Sequence, residues 1–199
     1  MADDKSGRDK QARDEERRQR EREMNTAVER GDEPEPAVDT SELAYFETGL
    51  EPLTFPATGA EIVSAVGDRE IESTVGTYAV ADLLPAVDWE RFDSPEEVRV
   101  RIRRPTIAAA MKRVVEASDR LPNEELDRSQ RDAYERTFEA LKAIDADDED
   151  EGIRVVADWI VERIGEKETI PGSRDVRRRA AEFCRTNGYE IRNDEWLGV

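Results

Sequence analysis

The chain of 199 residues contains no histidine and a single cysteine, Cys184. Without imidazole there is no His-dependent catalytic triad, no imidazole metal ligand and no side chain whose ordinary pKa sits near neutrality. One cysteine excludes an internal disulfide and any multi-cysteine zinc or iron–sulfur site. Aromatic residues make up 6% of the chain, and lysine occurs only at Lys5, Lys10, Lys112, Lys142 and Lys167, so the positive charge is almost all arginine. No apolar run approaches the roughly 20 residues needed to cross a bilayer. The opening MADDKSGRDK lacks the apolar core of a secretory signal. These absences point to a cytoplasmic protein with no membrane partner. Neither a Walker-type phosphate loop nor a G-x-G-x-x-G pattern occurs. No cofactor, metal or small-molecule substrate is indicated, and a non-enzymatic role is expected.

What is present is acid. Asp and Glu total 49 against 31 Lys plus Arg, a formal net charge of -18, and the sequence pI is near 4.5. Carboxylates in such number suit a cytoplasm of molar ionic strength, where they hold water and ions. At 1 M salt the Debye length is only about 3 Å, so self-repulsion no longer carries its usual penalty. The composition reads as that of an extreme halophile. Hydrophobic content of 37% beside 40% charged residues implies a lean core, in one medium domain or two small ones.

Residues 1–40 form a charged arm and linker, helical or disordered. Asp9/Arg13, Asp14/Arg18 and Glu16/Arg20 place acids four residues before bases, the favourable order on a helix. Met24 and Val28 are the only large apolar residues offered to a partner before Gly31-Asp32-Glu33-Pro34-Glu35-Pro36 breaks the pattern. A first helical unit is expected over 41–121. Thr58-Gly59-Ala60-Glu61 is a capping box leading into Ile62, Val63 and Val66, and Gly67-Asp68 ends that helix. Arg69–Ser73 and Thr77–Val80 pattern as a small hairpin, while Ala79–Leu84 reads equally as a helix ending before Pro85. Ser94-Pro95-Glu96-Glu97 supplies an N-cap, a proline at the first helical position and a Glu to close the box. Val98 and Ile102 face inward there among Arg99, Arg101, Arg103 and Arg104. After Pro105, a helix from about Thr106 carries Ile107, Ala110, Met111, Val114 and Val115 at offsets of three and four.

A second helical unit is expected over 122–199. Ser129–Asp132 reads as a capping box for a helix bearing Tyr134, Phe138, Leu141 and Ile144. Asp145–Glu151 is an acidic connector without EF-hand spacing, hence a solvated linker. Ile153, Val156, Ala157, Ile160, Val161 and Ile164 form the cleanest amphipathic stripe, with Gly165 as its expected stop. Ser173 then caps a helix carrying Val176, Ala180, Phe183 and Cys184, stopped by Asn187-Gly188. A terminal hairpin is expected around Asn193-Asp194. Cys184 falls on the apolar stripe and reads as a buried, inert thiol, and Trp159 and Trp196 as packing residues. The expected architecture is mainly α with minor β, two small helical units behind the arm.

The strongest candidate site is on the helix from Ser173. Between positions 171 and 192 there are six Arg and three acidic residues, a positive island in a negative chain. Arg174, Arg178 and Arg185 share one face, with Arg177 beside them and the apolar stripe opposite. Helices, a turn, an Arg-bearing helix and a short hairpin sketch a winged helix-turn-helix, whose equivalent helix enters the DNA major groove. Nucleic acid is therefore the expected partner. The alternative is a protein–protein adaptor that engages its partner through the charged N-terminal arm.

Phe55-Pro56-Ala57-Thr58-Gly59-Ala60-Glu61, then Leu84-Pro85 and Phe92-Asp93-Ser94-Pro95-Glu96-Glu97-Val98, resemble a small family of unknown function. Its members share a Phe/Tyr-Pro-Ala opening, a central Leu-Pro and a Ser-Pro-x-Glu/Asp-Val helix start. Over almost its whole length, including Lys10–Arg18 and Asp194–Gly198, the chain resembles a conserved hypothetical family of halophilic archaea. That resemblance implies a lineage but no catalytic residue, cofactor or activity.

The charge inventory generates a direct expectation. The thermal midpoint should rise between about 0.1 and about 2 M KCl as screening relieves carboxylate repulsion. A midpoint that is flat or falls over that range in a differential scan would remove the halophile reading.

Overall fold

The computed structural model describes residues 38, 40–73, 76–122, 124–144 and 149–189. The arm before Val38, most of the acidic connector and the expected hairpin after Tyr189, with Trp196, lie outside the described residues. The fold is mainly helical. Its elements are α1 (Thr40–Leu50), β1 (Ala57–Thr58), α2 (Gly59–Val66), β2 (Glu70–Ser73), β3 (Gly76–Ala79) and α3 (Val80–Leu83). They continue with β4 (Arg91–Phe92), α4 (Pro95–Ile102), α5 (Pro105–Ser118), α6 (Arg128–Lys142), α7 (Glu151–Lys167) and α8 (Ser173–Asn187). The strands make two separate antiparallel pairs, β1 with β4 and β2 with β3. Ala57 faces Phe92 in the first pair, and Ile71 faces Tyr78 in the second.

Local signals set several helix starts. The Thr58 hydroxyl accepts the Glu61 N–H at 3.2 Å, and the Glu61 carboxylate accepts the Thr58 N–H at 2.8 Å. Those bonds to Thr58, backbone first, hold the exposed Glu61 carboxyl below its ordinary pKa. A Cβ at residue 59 would lie 2.2 Å from the Pro85 carbonyl oxygen, so only glycine lets α2 begin this close to the Pro85–Glu90 segment. Ser94 caps α4 through the Glu97 N–H at 3.4 Å, but the Glu97 carboxylate reaches one residue further back, to the Asp93 N–H. The two readings of residues 69–84 are both realised in succession. The β2–β3 hairpin ends at Ala79 and α3 begins at Val80.

Three expected boundaries are corrected. Asp127, not Ser129, is the N-cap of α6, accepting the Gln130 N–H at 2.9 Å. Ser129 sits in the first turn and donates to Asp127 at 2.7 Å. Gly172 occupies the N-cap of α8 without a side-chain cap, and Ser173 is its first helical residue. Gly165 does not stop α7, which continues to Lys167 and turns out at Glu168 with φ 53°. Gly165 is exposed and would meet nothing within 4 Å as alanine. A solvent-facing glycine lowers helix propensity by about 1 kcal/mol and does not end a helix whose other face is buried. The Asn187-Gly188 stop is observed: Gly188 has φ 72°, and the Tyr189 N–H closes the turn on the Cys184 carbonyl at 2.9 Å.

The apolar side chains gather in two cores. The first joins Leu43, Phe46, Ile62, Val66, Leu83, Phe92, Val98 and Ile102 from α1 to α4. The second joins Met111, Val114 and Val115 of α5 to Tyr134 and Phe138 of α6, Val156 and Ile160 of α7, and Val176, Ala180 and Phe183 of α8. Full burial of each large side chain contributes about 1.5–3 kcal/mol, so both cores drive folding. Helix α5 serves both. Ala108 lies in the first core while Ile107 and Met111 lie in the second.

Beside α5 runs a line of four ion pairs that ties the first core to α6. Arg128 meets Glu97 at 3.4 Å, Arg131 meets Glu90, Arg101 meets Glu135 at 3.1 Å, and Arg104 meets Glu139. Residues 128, 131, 135 and 139 share one stripe of α6 because they are spaced by three and four. Glu90 is almost wholly buried, with its side chain 2% exposed, and that of Arg131 is 12% exposed. Burial disfavours the charge on both Arg101 and Arg131. Glu135, Glu90 and Asp132 outweigh it at Arg101, whose pKa is raised, whereas Arg131, also facing Arg101, has its pKa lowered. Both guanidinium groups stay cationic at neutral pH.

A buried pair of this kind contributes little net stability, but removing one partner strands the other. Arg131→Ala should therefore cost about 3–5 kcal/mol in urea unfolding, and the double variant Glu90→Leu/Arg131→Met should recover most of that loss. A single-variant cost below about 1 kcal/mol would show that the pair behaves as a solvated surface contact.

Candidate nucleic-acid interface

Helix α8 carries apolar residues on one side and arginine on the other. Val176, Ala180, Ala181, Phe183 and Cys184 are buried, and Cys184 is a free, buried thiol. The helix packs on α6 and α7. Its seating is reinforced at the preceding turn, where Gln130 donates to the Pro171 carbonyl at 2.6 Å and the Tyr134 hydroxyl donates to the same oxygen. Burial pushes the Tyr134 phenol well above its ordinary pKa, so it remains a donor at any physiological pH. Beyond the helix, the Tyr189 ring lies 5.8 Å from that of Phe183, centroid to centroid.

The opposite side of α8 is open. Arg174, Arg178 and Arg185 are all exposed, and their spacing of four and seven sets them on one face. Arg178 is 68% exposed and lies 3.2 Å from Asp175 one turn back. Arg174 and Arg185 have no carboxylate partner among the described residues. Arg177 is half-buried at the flank of this face, and its Nε is buried without a hydrogen-bond acceptor among the described residues. Arg179, a neighbour not singled out from the sequence, donates to Glu182 at 2.9 Å. The face is thus three exposed guanidinium groups bordered by Asp175 and Glu182.

Such a surface can grip an anion but holds no reacting constellation. Among the described residues no group of three or more His, Cys, Asp or Glu is placed to hold a metal ion. Of the acidic connector, Asp150 is committed to Lys142, whose Nζ lies 2.7 and 2.9 Å from its two oxygens. Trp159 is partly buried against the second core, with the Arg163 guanidinium 5.5 Å from its ring. The wing of the expected winged helix falls on residues outside those described. Among the described residues no helix is long and apolar enough to cross a membrane.

The network of Glu90, Arg101, Arg104 and Arg131 was not anticipated as a unit. Its signal in the sequence is the run Glu97, Arg101, Arg104 facing Arg128, Arg131, Glu135, Glu139, two stripes with inverted charge order.

Residues 41–114 match a family of unknown function, DUF5789. The match covers the first core from Leu43 onward and ends inside α5, so neither α6 nor α8 lies within it. No curated protein and no solved structure matches the chain. The arginine face therefore has no counterpart in these comparisons, and its role rests on geometry.

Replacing Arg174, Arg178 and Arg185 together by alanine should change unfolding free energy by no more than about 1 kcal/mol. The single exposed pair removed is worth about 0–1 kcal/mol, and alanine favours the helix slightly. A thermal melt several degrees lower would show that the face is structural.

Proposed function

We propose that this chain is a non-enzymatic binding or regulatory protein of a halophile's cytoplasm that contacts nucleic acid through α8. The observation that carries the reading is the exposure of Arg174 and Arg185 without carboxylate partners among the described residues, one to either side of Arg178. Nonspecific attraction to phosphate weakens steeply with salt. A guanidinium that forks onto a phosphate oxygen pair makes short, directed bonds that survive screening better than diffuse attraction. Arginine in place of lysine fits that demand. The apolar stripe of α8 holds the helix rigid, so contact would not require it to reorder. The form of contact proposed is a winged-helix mode, with α8 in the major groove.

Fluorescence anisotropy with labelled mixed-sequence duplex DNA and single-stranded RNA tests this. The native protein should bind, and the triple alanine variant should lose most of the affinity. The log–log salt slope on duplex should become shallower by about 0.9 for each phosphate contact removed. If the native protein binds neither polymer at the lowest salt that keeps it folded, the reading fails. The role then passes to residues 1–40 as the arm of a protein–protein adaptor.

A further inference from the structure

The charges on α8 do not cancel evenly along its length. Asp175 lies 3.2 Å from Arg178, and Glu182 accepts from Arg179 at 2.9 Å. Both acidic residues of the helix are therefore engaged by a neighbour one turn away, and Arg177 is half-buried at the flank. What stays open is a guanidinium near each end, Arg174 and Arg185. They are eleven residues apart, close to three full turns, so they stand on one side of the helix about 16.5 Å apart along its axis.

The rest of the exposed side offers little else to a polymer. Thr186 donates to the Glu182 carbonyl at 2.9 Å, and Asn187 donates to the Phe183 carbonyl at 3.0 Å. Both side chains thus turn back on their own helix and away from a base edge. Phe183 is buried, and the half-buried Tyr189 packs its ring against it. Single strands are gripped by stacking bases on open aromatic rings, and α8 presents none.

A span of about 16.5 Å has a match on a duplex. The major groove of B-form DNA is about 12 Å wide, so guanidinium groups at that separation reach the phosphates on its two walls. The major groove of A-form RNA is deep and narrow and closed to such an approach. On the reading that α8 contacts nucleic acid, we infer that its polymer is B-form duplex DNA, clamped by Arg174 on one backbone and Arg185 on the other with little base selectivity.

Competition anisotropy on the folded full chain tests this with duplex DNA, duplex RNA and single-stranded DNA of one length. Duplex DNA should compete about tenfold better than either of the others, and two duplexes of unrelated sequence should agree within about twofold. Arg174→Ala/Arg185→Ala should make the log–log salt slope on duplex DNA shallower by about 1.8, two phosphate contacts at about 0.9 each. Glu182→Arg/Arg185→Ala shortens the span to eight residues, about 12 Å, while adding net positive charge. It should bind duplex DNA more weakly than the native chain, whereas tighter binding would show that charge alone matters and overturn the clamp. Arg120→Ala, exposed in the turn after α5, should change affinity less than about twofold. Equal affinity for all three polymers, or a tenfold preference between the two DNA sequences, would overturn this inference and leave the nucleic-acid reading standing. Binding to none of them overturns both. A melt of each variant separates lost contact from lost fold.

Discussion

The line of charge pairs along α6 is the constraint on which the two-core arrangement depends. Apolar packing around α5 brings the cores together but is not directional. The pairs add direction. Along α6 the order is two arginines, then two glutamates, and the facing order is two glutamates, then two arginines. A slide of α6 by one turn either way would set Arg131 against Arg101 or Glu135 against Glu90. Like charges that are largely out of water repel strongly, so one register is favoured. Registry is the best-attested use of buried ionic groups, and it fits a chain whose lean apolar content leaves little shape complementarity to spare.

Arginine has three different environments here, and each responds differently to salt. Arg101, Arg104 and Arg131 are largely buried, where mobile ions do not reach and screening is weak. Arg113 and Arg178 sit in exposed pairs of small energetic weight. Arg174 and Arg185 are open to solvent. High salt therefore leaves the inter-core register intact and suppresses long-range attraction at the surface. What remains available at the surface is contact at hydrogen-bond range, the kind of interaction proposed for α8.

Much of the local structure was legible in the sequence. Thr58/Glu61 and Ser94-Pro95 mark helix starts because a cap is made within three residues, and Asn187-Gly188 marks an end because the left-handed turn favours glycine. The failures were also local. Ser129 and Asp127 both offer a capping oxygen two residues apart, and nothing in the pattern ranks them. Gly165 looks like a stop, yet burial of Ile160 and Ile164 on the other face carries α7 past it. Residues 69–84 carried two periods at once, and the chain uses one after the other.

By itself the sequence determined the helical class, the acidic surface, the face of each helix that turns inward and the face of α8 that carries arginine. Those properties follow from composition and from periods of three and four residues, which act within one or two turns. Tertiary structure alone decided that α5 belongs to both cores and that Glu90 is buried under Arg131. An apolar stripe says that a face is covered but not by what. The ladder partners Glu97 and Arg128 are 31 residues apart in the chain, and Glu90 and Arg131 are 41 apart. In a chain with this many charges, each arginine has many carboxylates within conceivable reach. Only packing the helices selects which of them meet.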